Sequence, residues 1–120
     1  YCVEPIMQAA GGPKNIVITS GYRLNGAVKF ASPTSQHPKG MAFDFVLAGK
    51  INNYQAHYDF VNKIAEIVPF DQLLLEYRDA GNNKNVRICW IHCSFSYEGG
   101  RREAKTMLTD SKYKSGFHLL

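Results

Sequence analysis

Ten residues, Val86-Arg87-Ile88-Cys89-Trp90-Ile91-His92-Cys93-Ser94-Phe95, constrain the fold more than any other stretch of the chain. They are dense in β-branched and aromatic side chains and follow a turn-rich run, Asp79-Ala80-Gly81-Asn82-Asn83-Lys84-Asn85, which reads as a hairpin loop. A strand is expected over 86–95. Successive side chains in a strand point to opposite faces. Cys89, Ile91, Cys93 and Phe95 then share one face, and Ile88, Trp90, His92 and Ser94 the other. The first face is the more uniformly apolar and should meet the core. That leaves His92 looking into a cleft beside Trp90.

A second segment, Ser35-Gln36-His37-Pro38-Lys39-Gly40-Met41-Ala42-Phe43-Asp44-Phe45, changes character partway along. Pro38 and Gly40 punctuate a loop over 35–40, and 41–46 alternates as a strand. Met41, Phe43 and Phe45 would face the core. Ala42 and Asp44 would face away from it, which projects a carboxylate from a rigid element with space beside it. His37 can fold back over that space if Gly40 turns the backbone sharply. His37, Asp44 and His92 together form a set of three protein ligands that suits zinc and leaves a fourth position for water, the pattern of a catalytic rather than a structural site. Two histidines and a carboxylate make zinc the first choice among metals. On spacing alone, the ordinary reading of histidines satisfied in the core or at the surface outweighs this one.

The residues also resemble a family. Ser20-Gly21-Tyr22-Arg23, then Ser35-x-His37-x-x-Gly40-x-Ala42-x-Asp44, then Glu76, then Trp90-Ile91-His92, are similar to the zinc D-alanyl-D-alanine carboxypeptidases, a group that includes vancomycin-resistance D,D-dipeptidases and phage L-alanyl-D-glutamate endolysins and shares its fold with the hedgehog signalling domain. The resemblance runs from about 16 to 95 in the family's order. It implies zinc held by His37, Asp44 and His92, a substrate-engaging Arg23, and an acidic general base. Several members carry that base three positions before the last histidine, where this chain has Cys89 on the expected core face. Hedgehog-like members carry a glutamate at the end of the preceding strand after a Phe-Asp pair, and Phe70-Asp71-Gln72-Leu73-Leu74-Leu75-Glu76 matches that arrangement. The base is therefore assigned to Glu76. Ser35 and Trp90 are assigned to substrate contact.

The remaining elements follow from pattern. Residues 1–10 read as the end of a helix closed by Gly11-Gly12-Pro13, and 15–20 as a short β-branched strand. Residues 24–34 form a loop and 48–53 a polar turn. Tyr54, His57, Tyr58, Val61, Ile64, Ala65 and Val68 recur at helical spacing over 53–68, with Asn53 as N-cap and Pro69 as stop. His57 falls among these apolar positions, so it is expected to pack rather than bind metal. Residues 70–77 form a strand with Gln72, Leu74 and Glu76 on its more polar face. Residues 98–105 are expected as a solvated charged loop, and 112–120 as a tail in which His118 is incidental.

An α+β single domain follows: a small, mostly antiparallel sheet with flanking helices, hedgehog/D,D-peptidase-like, spanning 1–120. The expected function is a zinc-dependent carboxypeptidase or endopeptidase acting on peptidoglycan stem peptides at the cell wall, in the manner of a phage endolysin or tail-associated lysin. The alternative is a non-enzymatic, zinc-stabilised recognition domain of the same fold. A net charge of +4 suits anionic wall polymers. It lacks the clustered basic and aromatic pattern of a nucleic-acid binder. No run approaches the ~20 apolar residues of a membrane span. Three cysteines, an odd number without metal-knuckle spacing, argue against a disulfide framework. No signal segment is evident, yet the chain opens on Tyr1-Cys2, as a processed form or a piece of a larger protein or phage particle would.

Overall fold

The structure is a computed structural model that describes residues 3–20, 40–80, 83–96, 101–108 and 112–119. Its sheet grows outward from the strand that alternation marks most strongly. β4 (Asn83–Ser96) lies between β2 (Gly40–Leu47) and β3 (Gln72–Ala80), antiparallel to both. β1 (Ile16–Ser20) extends the sheet beyond β2, while β5 (Glu103–Met107) and β6 (Tyr113–Ser115) extend it beyond β3. The order is β1-β2-β4-β3-β5-β6, and β5 runs parallel to β3 where every other pair is antiparallel.

One sheet face is apolar because the alternation holds along three adjacent strands. Phe43 and Phe45 of β2, Leu73 and Leu75 of β3, and Ile91 and Cys93 of β4 are all fully buried in one core. Phe43 and Phe45 sit 5.7 Å apart between ring centroids, and Phe60 meets Phe45 edge-on at 6.0 Å. Burying each such side chain contributes roughly 1.5–3 kcal/mol, so this layer carries much of the stability.

Helices cover that face. α2 (Tyr54–Ala65) packs on β2, β3 and β4 through a buried stripe of His57, Phe60, Val61 and Ile64. Its first turn is capped as expected: the Asn53 Oδ1 accepts the Ala56 N–H at 2.9 Å. Arg102 closes the other end by donating to the carbonyls of Ala65 (2.7 Å) and Val68 (3.3 Å). α1 (Val3–Ala9) rests on α2. It stops where Gly11 and Gly12 take φ of 92° and 132°, values open to glycine, and the Gly12 N–H reaches back to the Met7 carbonyl at 2.9 Å. A radius of gyration of 14.1 Å is that of one compact unit of this length, for which about 14 Å is expected. The fold is thus a single α+β domain with a six-stranded mixed sheet and two helices among the described residues.

Three sequence expectations need correction. β3 and β4 extend through Ala80 and from Asn83, which pair with each other, so the expected loop over 79–85 shrinks to its centre. Residues 103–107 form a strand rather than a solvated loop, because small Ala104 and buried Thr106 point inward while Glu103 and Lys105 point out. Arg101 ahead of them grips the buried Asp71 with its backbone N–H, Nε and Nη2, each at 3.0 Å. Residues 113–115 are β6 rather than tail. The expectation for His57 holds: its Nε2 accepts the Leu47 N–H at 3.2 Å, which leaves the Nδ1 proton to donate to the Asn53 carbonyl at 2.9 Å. Burial pushes the pKa of this imidazole below its ordinary value, as suits a neutral ring with both nitrogens engaged.

Candidate active site

The sheet face away from the core collects the polar half of each alternation. Asp44 on β2 stands directly across from His92 on β4, and His92 stands across from Leu74 on β3. Two residue pairs further along, and so on the same face, Glu76 on β3 stands across from Trp90 on β4. Four residues singled out from sequence are thus brought together on three adjoining strands: Asp44, His92, Glu76 and Trp90. Arg23, Ser35 and His37 lie outside the described residues.

Asp44 and His92 touch. The His92 Nδ1 lies 2.9 Å from the Asp44 Oδ1, and the two side chains are 16% and 27% exposed for histidine and aspartate respectively, so both remain accessible from the cleft. With a proton on Nδ1 the ring donates to the carboxylate. An imidazole nitrogen and a carboxylate oxygen are both zinc donor types. Donors on a tetrahedral zinc at 2.0–2.2 Å stand about 3.3–3.6 Å apart, roughly half an ångström more than this hydrogen-bonded spacing. The pair therefore fits zinc in donor type and would have to separate slightly to hold it. Among the described residues no group of three His, Cys, Asp or Glu side chains converges as a metal site. Leu74, 8% exposed, gives the pair an apolar neighbour.

Glu76 has a different environment. It stands across from Trp90 on β4. Burial raises its pKa above the ordinary carboxylate value, and the nearby Asp44 charge adds to this. His92 pulls the other way but does not cancel the rise. A carboxylate with its basicity raised by desolvation is suited to taking a proton from water. Asp44, across the sheet, is suited instead to binding a cation.

Trp90 was expected to contact substrate. It stands across from Glu76 on the same sheet face as His92. Cys89, at the position where several of the resembled peptidases carry their acid, is fully buried on the core side with its thiol pushed up to about 11 by burial. It offers no base to the cleft. Tyr113 is the residue that sequence reasoning missed. It belongs to a three-residue strand flanked by lysines, and a pattern that short carries no periodicity to mark its face. Only its arrival beside Glu76 in three dimensions reveals it.

Comparison with known proteins adds no relative: no family model, no curated protein and no solved structure matches the chain.

Among the described residues no helix is long and apolar enough to cross a membrane.

Proposed function

We propose that this chain is a zinc-dependent peptidase of the hedgehog/D,D-peptidase type that hydrolyses peptide bonds in peptidoglycan stem peptides. The observation that carries the reading is the division of labour across β2, β4 and β3: a 2.9 Å Asp44–His92 donor pair beside a separate carboxylate whose pKa burial raises. A peptidase needs both halves. A domain that used metal only for stability would need the first alone.

In this reading Asp44 and His92 hold zinc, with His37 supplied by the sequence motif as third ligand. Bound there, zinc would acidify a water molecule and take up negative charge on the scissile carbonyl oxygen. Glu76 accepts the proton of the attacking water and returns it to the departing amine, so that one carboxylate serves as base and then as acid. Arg23, from the motif, fixes a carboxylate of the substrate, a task its planar fork performs in a bidentate way that lysine does not. Ser35 contributes a hydrogen bond to the peptide. The D-amino acid content of the substrate and the setting at a cell wall, as a phage endolysin or tail-associated lysin, rest on the family resemblance.

Mass spectrometry of peptidoglycan incubated with zinc-loaded protein, beside a chelated sample, tests the proposal. Chelator-sensitive loss of a terminal stem residue identifies a carboxypeptidase, and new internal cleavages identify an endopeptidase. Intact wall from every chemotype tried overturns the peptidase reading and favours a zinc-stabilised recognition domain.

A further inference from the structure

The sheet face that carries the candidate site does not end at β3. Register continues it: Asp44 on β2, His92 on β4, Leu74 on β3 and Lys105 on β5 lie side by side across four strands. Two contacts show which way β5 faces. The Gln72 Nε2 donates to the Glu103 Oε1 at 2.7 Å, and the Lys105 Nζ lies 3.6 Å from the Glu103 Oε2. Gln72 shares its side of β3 with Leu74 and Glu76, so Glu103 and Lys105 open onto the face of the Asp44–His92 pair. Strands lie about 4.8 Å apart, which puts the Lys105 backbone roughly 10 Å from that of His92. Leu74 stands between them.

The fold itself gains little from a lysine at this position. β5 is fastened by other ties: its ladder with β3, the Glu103 N–H on the Asp71 carbonyl at 2.9 Å, and the grip of Arg101 on the Asp71 carboxylate. Thr106 adds a bond to the Gly116 carbonyl at 2.7 Å. The Lys105 and Glu103 side chains are 35% and 30% exposed, and their separation exceeds the about 2.7–2.9 Å of a charge-assisted hydrogen bond. An exposed ion pair of that kind adds little to stability. Glu103 is moreover held by Gln72 whether or not Lys105 is present. The ammonium is thus steadied beside the cleft while it stays accessible to an acceptor arriving from solvent.

We infer that Lys105 is a specificity-determining residue: its ammonium receives a carboxylate of a peptide that lies across the strands, within about three residues of the bond cleaved at the Asp44–His92 pair. This rests on the peptidase reading above. The reach follows from the geometry. An extended peptide advances roughly 3.3–3.6 Å per residue, so three residues cover the distance from His92 to Lys105. Leu74 gives such a peptide an apolar floor on the way. The carboxylate is a second one, beyond that assigned to Arg23. The substrate class narrows accordingly to stem peptides with a free side-chain carboxylate, in preference to the same peptides amidated. Lys105 touches substrate away from the reacting atoms, so it should govern affinity rather than turnover.

Two synthetic stem peptides that differ only in whether their side-chain carboxylates are free or amidated test the inference. Zinc-loaded wild type should show a KM on the order of tenfold lower for the free acid, the size expected of one partly exposed charge-assisted contact. That advantage should shrink at high salt, as screened charges require. In Lys105→Gln the ratio of the two KM values should fall to near one, and in Lys105→Arg it should persist. A preference that survives in Lys105→Gln, or that wild type never shows, overturns the inference. Should wild type cleave neither peptide, the peptidase reading fails, and calorimetric binding of the same two peptides decides the role of Lys105. Tighter binding of the free acid, lost in Lys105→Gln, upholds the carboxylate site. Equal binding of the two peptides, or none of either, overturns it.

Discussion

At Glu76 the fold and the proposed chemistry make opposite demands. Desolvation disfavours a charged carboxylate, while His92 favours it, and the balance leaves the pKa above the ordinary value of 4.5. A carboxyl whose folded-state pKa is raised binds its proton more tightly in the folded protein than in the unfolded one. The ionised form then costs stability, a cost absent below pH 4.5 and fully developed once pH exceeds the folded-state value. In zinc-free protein, Glu76→Gln should melt higher than wild type at pH 7, since the amide removes the charge that burial disfavours. The gap should close as pH falls towards 4.5. A melting temperature at pH 7 equal to or below that of wild type would show that Glu76 is not strained by its site. At this scale the sequence was informative for Asp44, His92 and Glu76, because each occupies a polar position in an alternating strand. Tyr113 was not legible, because its strand joins the sheet through β5, two strand spacings from Glu76.

Among elements, α2 is the one whose start and stop the sequence specifies most fully. The Asn53 cap, the apolar stripe and Pro69 are all local signals, and the helix starts at its cap as expected but ends at Ala65, short of Val68. Asn53→Ala should cost about 1 kcal/mol through loss of the bond to the Ala56 N–H. Because α2 covers the core face and the site occupies the other, kcat of the folded fraction should be unchanged; denaturant melts and kinetics on one preparation check both. β5 and β6 were harder to foresee. Glu103-Ala104-Lys105-Thr106-Met107 alternates only between charged and small residues, and its place beside β3 depends on Arg101 reaching Asp71 and on the Glu103 N–H bonding the Asp71 carbonyl at 2.9 Å. Such ties span about thirty residues and leave no short-range pattern.

The whole molecule divides by sheet face. One face, under α1 and α2, stabilises the fold; the other carries Asp44, His92, Glu76, Trp90 and Tyr113. Alternation in β2, β3 and β4 was enough to predict that division, which is why the α+β class and the cluster of candidate residues were legible before the coordinates. Of the strand order only the β3–β4 hairpin was legible, since the rest is set by pairing between distant segments. Metal binding should couple to folding, because a site assembled from separate strands does not exist in the unfolded chain. Zinc at a hundredfold excess over its dissociation constant should stabilise the protein by ~2.7 kcal/mol, and thermal melts of His92→Ala should lose that response. The most direct test of the account is to compare turnover of one stem peptide by zinc-loaded wild type and zinc-loaded Glu76→Gln, with metal content measured on the same samples. The account predicts equal zinc in both and a loss of roughly a hundredfold or more in the variant, the share expected of general acid–base catalysis. Equal turnover would contradict it and move the proton-transfer role away from Glu76.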